Sequence, residues 1–183
     1  MERPLSTSAL VDSPYFDVTE GQQGNVWFLG SPFGPTTRTV SIPPDKSLFF
    51  PMLNAESSTL EEPPFWAQTA EEQAAIAAYF VDHAVHLFCE IDEVLVPDVS
   101  SYRFGNQQIA FEAPTPWIFG NLDLEANIGG IGTSTGDGYY LMLRPLEPGQ
   151  HTLRFGGAFL FSRPADPFDY YAGFDATYHL IVR

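Results

Sequence analysis

Apolar side chains in this chain recur at every second residue, and prolines and glycines interrupt the pattern every few positions. No other feature constrains the fold as much. A two-residue period sends successive side chains to opposite faces of an extended strand. Punctuators at short intervals suit many short strands and suit long helices poorly. Arg38, Val40 and Ile42 fall on one face, with Thr37, Thr39 and Ser41 on the other. Val85, Leu87, Cys89 and Ile91 alternate with His86, Phe88, Glu90 and Asp92, and the set Ala176, Tyr178, Leu180 and Val182 repeats the rhythm. Further strands are predicted at 26–29, 47–53, around Tyr102 and Phe104, and at 109–113, 139–143, 151–155 and 158–161. Pro51 in the second of these reads as a bulge or edge position. Asp92-Glu93 reads as a hairpin turn, although Glu is a poor second turn residue, and residues 119–138 read as a glycine-rich loop.

One helix is predicted over 70–82. Thr69 and Glu72 have the spacing of a capping box, and Ile76, Tyr79, Phe80 and His83 form an apolar stripe at helical spacing. Nine or so strands with one inserted helix predict an all-β, antiparallel β-sandwich, Ig-like or jelly-roll-like. It is expected to form a single domain over 23–183, behind an N-terminal arm at 1–22.

Charge narrows the partners. The chain has 8 Lys and Arg against 23 Asp and Glu, a formal net charge of −15. Long-range repulsion then argues against nucleic acid and anionic lipid surfaces. No apolar run approaches the ~20 residues that span a bilayer, so no membrane insertion is expected. Cys89 is the only cysteine, which leaves no intrachain disulfide. The opening Met1-Glu2-Arg3-Pro4 carries no apolar signal core.

Several phrases occur together: GNVWFLG at 24–30, SLFFPMLNAE at 47–56, IDEVLVPDVSSYRF at 91–104, DGYYLMLRPLEPGQHTLRFGG at 137–157 and ATYHLIV at 176–182. In these the chain resembles a family of uncharacterised bacterial proteins, often exported, that carry a compact β-sandwich domain. The resemblance runs from about 24 to 183. It implies a fold and an extracytoplasmic or secreted setting, and no reaction. Asn54, Glu56, Arg103, Asp137, His151 and Tyr178 fall on its characteristic positions. The chain departs from the pattern at Glu93, where Gly is usual, and at Pro35, where a second Gly is common.

Several constellations bear on chemistry. Gly132-Thr133-Ser134-Thr135-Gly136 matches a nucleophile-elbow spacing, and Asp166, Asp169 or Asp175 followed by His179 completes a triad order. The strand before and the helix after that such an elbow needs are missing, so a loop is the better reading. The glycines from Gly130 to Gly136 likewise miss a dinucleotide-binding spacing. His83 and His86 have a spacing that zinc ligands can use, but the position of His83 on the apolar stripe favours a core histidine with a hydrogen-bond partner. Asp123, Glu125 and Asn127 place three oxygen ligands at alternate positions and are the candidate calcium site; no other cofactor is expected. Asn54 and Glu56, with Glu61 and Glu62 beyond, leave an apolar strand abruptly, which would set Glu56 at a sheet rim.

Function is ranked accordingly. The leading expectation is a non-catalytic module that binds a small molecule, glycan or protein through its loop-rich end, using Asn54, Glu56, Trp66, Trp117 and Asp137. The second is an enzyme acting on a glycan or other polar substrate, with Glu56, Arg103, His151 and Tyr178 as its catalytic group. The third is a subunit of a homo-oligomer joined through strand edges.

Overall fold

The computed structural model describes residues 13, 15–30, 34–115, 117 and 129–183. Nine strands and one α-helix follow in order: β1 (Val26–Phe28), β2 (Gly34–Ile42), β3 (Ser47–Ser58), α1 (Ala70–Asp82), β4 (Ala84–Ile91), β5 (Val94–Leu95), β6 (Arg103–Ala113), β7 (Gly130–Leu143), β8 (Gly149–Phe161) and β9 (Tyr170–Val182). A short 3-10 turn, Val99–Tyr102, precedes β6. The strands form a four-stranded sheet, β1-β3-β7-β6, and a five-stranded sheet, β2-β9-β8-β4-β5. The architecture is mostly β and sandwich-like. Among the described residues no helix is long and apolar enough to cross a membrane.

Two ladders depart from the antiparallel expectation. β1 runs parallel to β3, and β2 runs parallel to β9 over nine registered pairs from Gly34↔Phe174 to Ile42↔Val182. Both parallel strands are sheet edges, which the chain reaches from a distant part of the sequence rather than by a hairpin. The β4–β5, β4–β8 and β8–β9 ladders are antiparallel. Pro51 is tolerated in β3 because β1 registers only with Ser47–Phe49, so the proline lies past the end of that ladder.

The chain divides into two compact units. One comprises Asn54–Asp82 and Phe104–Gly138; the other holds the remaining described residues, those of the N-terminal segment included. β3 and β7 run through both. The larger unit has the apolar core that alternation predicts. Val40 and Ile42 of β2, Leu48, Phe50 and Met52 of β3, Leu153 and Phe155 of β8, and Ala176, Tyr178, Leu180 and Val182 of β9 all turn inward. Phe50 and Phe155 meet across it at 4.5 Å between ring centroids, and Phe155 stacks on Tyr178 at 6.2 Å. The N-terminal segment packs here too: Phe16 and Val18 lie against the core, and the Phe16 ring sits 3.8 Å from the Arg38 guanidinium. Gln22 ties the segment down, donating to the carbonyls of Val18 and Phe28 at 2.9 and 2.8 Å.

Asp92 and Glu93 form the expected β4–β5 turn, with φ of 50° and 67°. This left-handed pair is what a two-residue hairpin requires. Glu93 adopts it without being glycine, and hydrogen bonds around Asp92 hold the turn in place.

In the smaller unit the capping box forms as predicted. The Thr69 amide donates to Glu72 Oε2 at 3.1 Å, and the Glu72 amide donates to Thr69 Oγ1 at 3.3 Å. The buried face of α1 differs from the predicted stripe, however. Gln73, Ala77 and Val81 are buried, Ile76 and Phe80 are half-buried and Tyr79 is exposed. Ala77 allows a close approach, and Gln73 finds hydrogen-bond partners on all sides, so a polar residue takes the inner position. Residues 130–138, expected to be loop, instead form the first half of β7. Their Gly and Thr content hid a central strand. Asn54 and Glu56, expected to leave β3, continue it to Ser58.

Candidate functional site

The strongest chemical grouping lies in the smaller unit, on the second half of β3 and the first half of β7. Glu56 of β3 accepts a hydrogen bond from the hydroxyl of Ser134 on β7. Glu61, in the turn after β3, hydrogen-bonds back to the Glu56 carboxyl. Burial, followed by the charge of Glu56 and the hydrogen bond to it, pushes the Glu61 carboxyl up to about 9, and a hydrogen bond from the Ser58 backbone acts in the opposite sense. Glu61 Oε2 is shut off from water without a hydrogen-bond partner among the described residues. The direction of the shift means that the Glu56–Glu61 pair retains a proton more tightly than an isolated carboxyl.

The frame around this pair is polar and largely hydrogen-bonded, with Ser57 Oγ buried and without a partner among the described residues. The Thr59 amide donates to the Thr133 carbonyl, and the Thr133 amide donates to Thr59 Oγ1, both at 3.0 Å. Gln73 is fully buried, and its Nε2 donates to the carbonyls of Ala67 and Thr133 at 3.1 Å each. Its Oε1 accepts from Thr135 Oγ1 at 3.2 Å and Gln108 Nε2 at 3.1 Å. Gly132 allows this closeness: a Cβ there would stand 2.7 Å from the Leu60 side chain and 2.9 Å from Thr59 Oγ1.

The other sequence candidates are dispersed. Tyr178 is wholly buried, accepts from Arg38 Nη1 at 2.9 Å and donates to the Gly30 carbonyl at 2.7 Å. His151 bridges Asp92 and the Glu147 carbonyl at 2.7 and 2.9 Å. Arg103 is exposed at the start of β6. Asp137 is 3% exposed and lies against Gly105, where a Cβ would come within 2.8 Å of its carboxyl. Asn54 is exposed on β3. Trp66 is 46% exposed, whereas Trp117 is half-buried against Phe111, with centroids 5.6 Å apart.

Ser134 sits inside a strand and bonds to Glu56, so the elbow geometry is absent. The acidic residues grouped with it have other work: Asp166 pairs with His83 at 2.8 Å, Asp169 accepts from the Arg163 amide at 2.8 Å, and Asp175 pairs with Arg154. His83 is thus the hydrogen-bonded core histidine expected, its ring stacked on Phe161 at 4.3 Å. His86 is exposed at a bulge in β4. Asp123, Glu125 and Asn127 lie outside the described residues. Among those described, no group of three or more His, Cys, Asp or Glu is arranged to hold a metal ion.

Sequence reasoning missed one aromatic region, spread over both faces of a hairpin. Leu160, Phe168, Tyr170 and Tyr171 are all exposed on the β8–β9 hairpin, the two tyrosines by 55% and 60%. Leu160 and Tyr171 are cross-strand partners, and the Tyr171 ring lies over Gly173. The loop between the strands is braced. Asp166 accepts from the Ser162 amide at 2.8 Å and bonds to His83, and Arg163 Nε donates to the Pro167 carbonyl at 3.1 Å. The available signal was the adjacent tyrosine pair after a stretch punctuated by Pro164 and Pro167. Two prolines read as a connection, which turned attention away from the aromatics beside them.

No protein-family model matches the chain, and no curated protein and no solved structure matches it.

Proposed function

We propose that this chain is a non-catalytic, extracytoplasmic β-sandwich module, Ig-like or jelly-roll-like, that binds a neutral glycan through the tip of the β8–β9 hairpin. The supporting observation is exposed Phe168 on a braced loop, with exposed Tyr170 and Tyr171 opening β9 on opposite faces of the hairpin tip. Tyrosine offers a flat apolar face to sugar C–H groups and a hydroxyl to their oxygens, at little cost in side-chain entropy. The net charge of −15 disfavours an anionic ligand. The extracytoplasmic setting rests on the sequence resemblance alone.

A second reading is favoured by the Glu56–Glu61–Ser134 grouping. A carboxyl pair that retains a proton more tightly than an isolated carboxyl can donate it to a leaving group. This reading would make the chain an enzyme for a polar substrate, with Glu61 as acid and without Arg103, His151 or Tyr178.

One experiment separates the two: thermal unfolding and calorimetry against a panel of neutral oligosaccharides, with each mixture also assayed for hydrolysis. Binding should raise the Tm by mass action. Changing both Tyr170→Ala and Tyr171→Ala should weaken binding at least tenfold while Glu61→Gln leaves it intact. Hydrolysis abolished by Glu61→Gln would favour the second reading. Neither binding nor turnover with any sugar would overturn both.

A further inference from the structure

The carboxyl pair and the aromatic hairpin aside, one arrangement joins two connections through a single titratable side chain. His151 opens β8, and both of its ring nitrogens face acceptors. Nδ1 is 2.7 Å from Asp92 Oδ2 in the β4–β5 turn, and Nε2 is 2.9 Å from the carbonyl of Glu147 in the β7–β8 connection. A neutral imidazole has one N–H and can satisfy only one of them; an imidazolium donates to both. The carboxylate is also fixed from its other side, because the Thr152 amide donates to Asp92 Oδ1 at 2.8 Å. The Asp92 amide in turn donates to the Thr152 carbonyl at 2.8 Å.

We propose that His151 is a pH-operated clasp, which pins the β7–β8 connection to the β4–β5 turn when doubly protonated and lets the connection go when it loses a proton. The connection is suited to release. Pro145 and Pro148 have no N–H to offer, so it relies on the packing of Leu146 against the core and on the Glu147 carbonyl held by His151. After deprotonation the remaining N–H stays with the charged Asp92, because a bond to a carboxylate is stronger than one to a carbonyl. The nitrogen left facing Glu147 then presents a lone pair to a carbonyl oxygen.

Acidic groups lie on the elements next to the ring. Asp92 and its neighbour Glu93 come from the turn, and Glu147 comes from the connection. From β9 the register partner of His151 is the uncharged Leu180. His179, opposite Thr152, is on the other face of that sheet. Asp92 and the Glu147 carbonyl retain the proton against the opposing effect of burial, consistent with the upward shift of His151, caused chiefly by its hydrogen bond to Asp92.

The test is NMR titration of the His151 ring in the full chain from pH 5 to 10, with amide hydrogen exchange at Leu146, Glu147 and Gly149 corrected for intrinsic rates. Protection of those amides should fall more than tenfold through the same transition that deprotonates His151. Asp92→Asn should move both transitions together to lower pH. His151→Gln, which cannot titrate, should remove the pH-dependent step. Corrected protection that is flat with pH would overturn the clasp. So would a protection midpoint that stays in place in Asp92→Asn while the ring titration moves, and that measurement stands even if His151→Gln fails to fold.

Discussion

The two compact units are held by different chemistry. In the larger, the largest wholly buried side chains are apolar or aromatic: Phe50, Phe155, Phe161, Leu48, Met52, Leu153, Leu180 and Tyr178. Its buried cation, Arg38, lies between the Phe16 and Tyr178 rings and donates to the tyrosine hydroxyl. In the smaller, Ser57, Ser58, Gln73 and Thr135 are wholly buried, and Ser134 and Asp137 are nearly so. Removal of apolar area from water stabilises the first. The second depends on buried hydrogen bonds, since breaking them costs more than making them gains, although Ser57 Oγ and Glu61 Oε2 find no partner among the described residues. The two regions should therefore fail in different ways.

The largest expected effect tests the apolar side. Phe155 contacts both Phe50 and Tyr178 at the centre of the core. Phe155→Ala should destabilise the protein by about 3–5 kcal/mol, the usual loss for emptying an aromatic site in a packed core. Urea denaturation should show a lowered midpoint with little change in slope. A loss under about 1 kcal/mol would mean that Phe155 does not bridge the two sheets.

The matching change in the polar unit is Gln73→Leu, which keeps the volume and removes the hydrogen bonds. It strands the Ala67 carbonyl and the Thr135 hydroxyl, while the Thr133 carbonyl keeps the Thr59 amide and the exposed Gln108 amide can turn to water. Leaving two buried groups unmet should cost about 2–3 kcal/mol, even though the new residue is more hydrophobic. A neutral or stabilising result in the same denaturation assay would show that this network is dispensable and that the two units are alike after all.

The same contrast explains what could be read in the sequence. Alternation marked the inner faces of β2 and β9, because Val40 and Ile42, like Ala176 through Val182, are apolar at every second position. The capping box marked the start of α1 because Thr69 and Glu72 bond to each other locally. Residues 130–138 were read as loop because Gly-Ile-Gly-Thr-Ser-Thr-Gly-Asp-Gly has no apolar period, and a strand packed through hydroxyls and glycines has no reason to show one. The inner face of α1 was misassigned for a related reason. Periodicity favours Ile76 and Tyr79, whereas the fold selects Gln73, whose partners on β6 and β7 are distant in sequence. Glu56 was legible as a position to watch. Its partners Ser134 and Glu61 were not, since one lies across a strand pairing and the other reaches back from a turn.

The smallest effect is also the most specific to the carboxyl pair. Glu61 has a folded pKa of about 9, raised above its ordinary 4.5. A raised folded value means that the native state holds the proton more tightly, so the stabilisation is complete below pH 4.5 and is lost as pH rises toward 9. Glu61 is half-buried, so water screens the repulsion, and the direction of the shift fixes the sign: stability should fall between pH 5 and 10. The His151 contribution also declines as pH rises through its folded pKa, because its shift is upward, while the downward-shifted Asp92 withdraws support only at acid pH. Wild-type stability alone therefore mixes the two sites. The difference between wild type and Glu61→Gln separates them, because the His151–Asp92 pair is common to both chains. Denaturation at pH 5, 7 and 10 should show this difference shifting toward the variant as pH rises. A difference that stays constant would mean that the two carboxyls do not share a proton, and the acid role of Glu61 would fail with it.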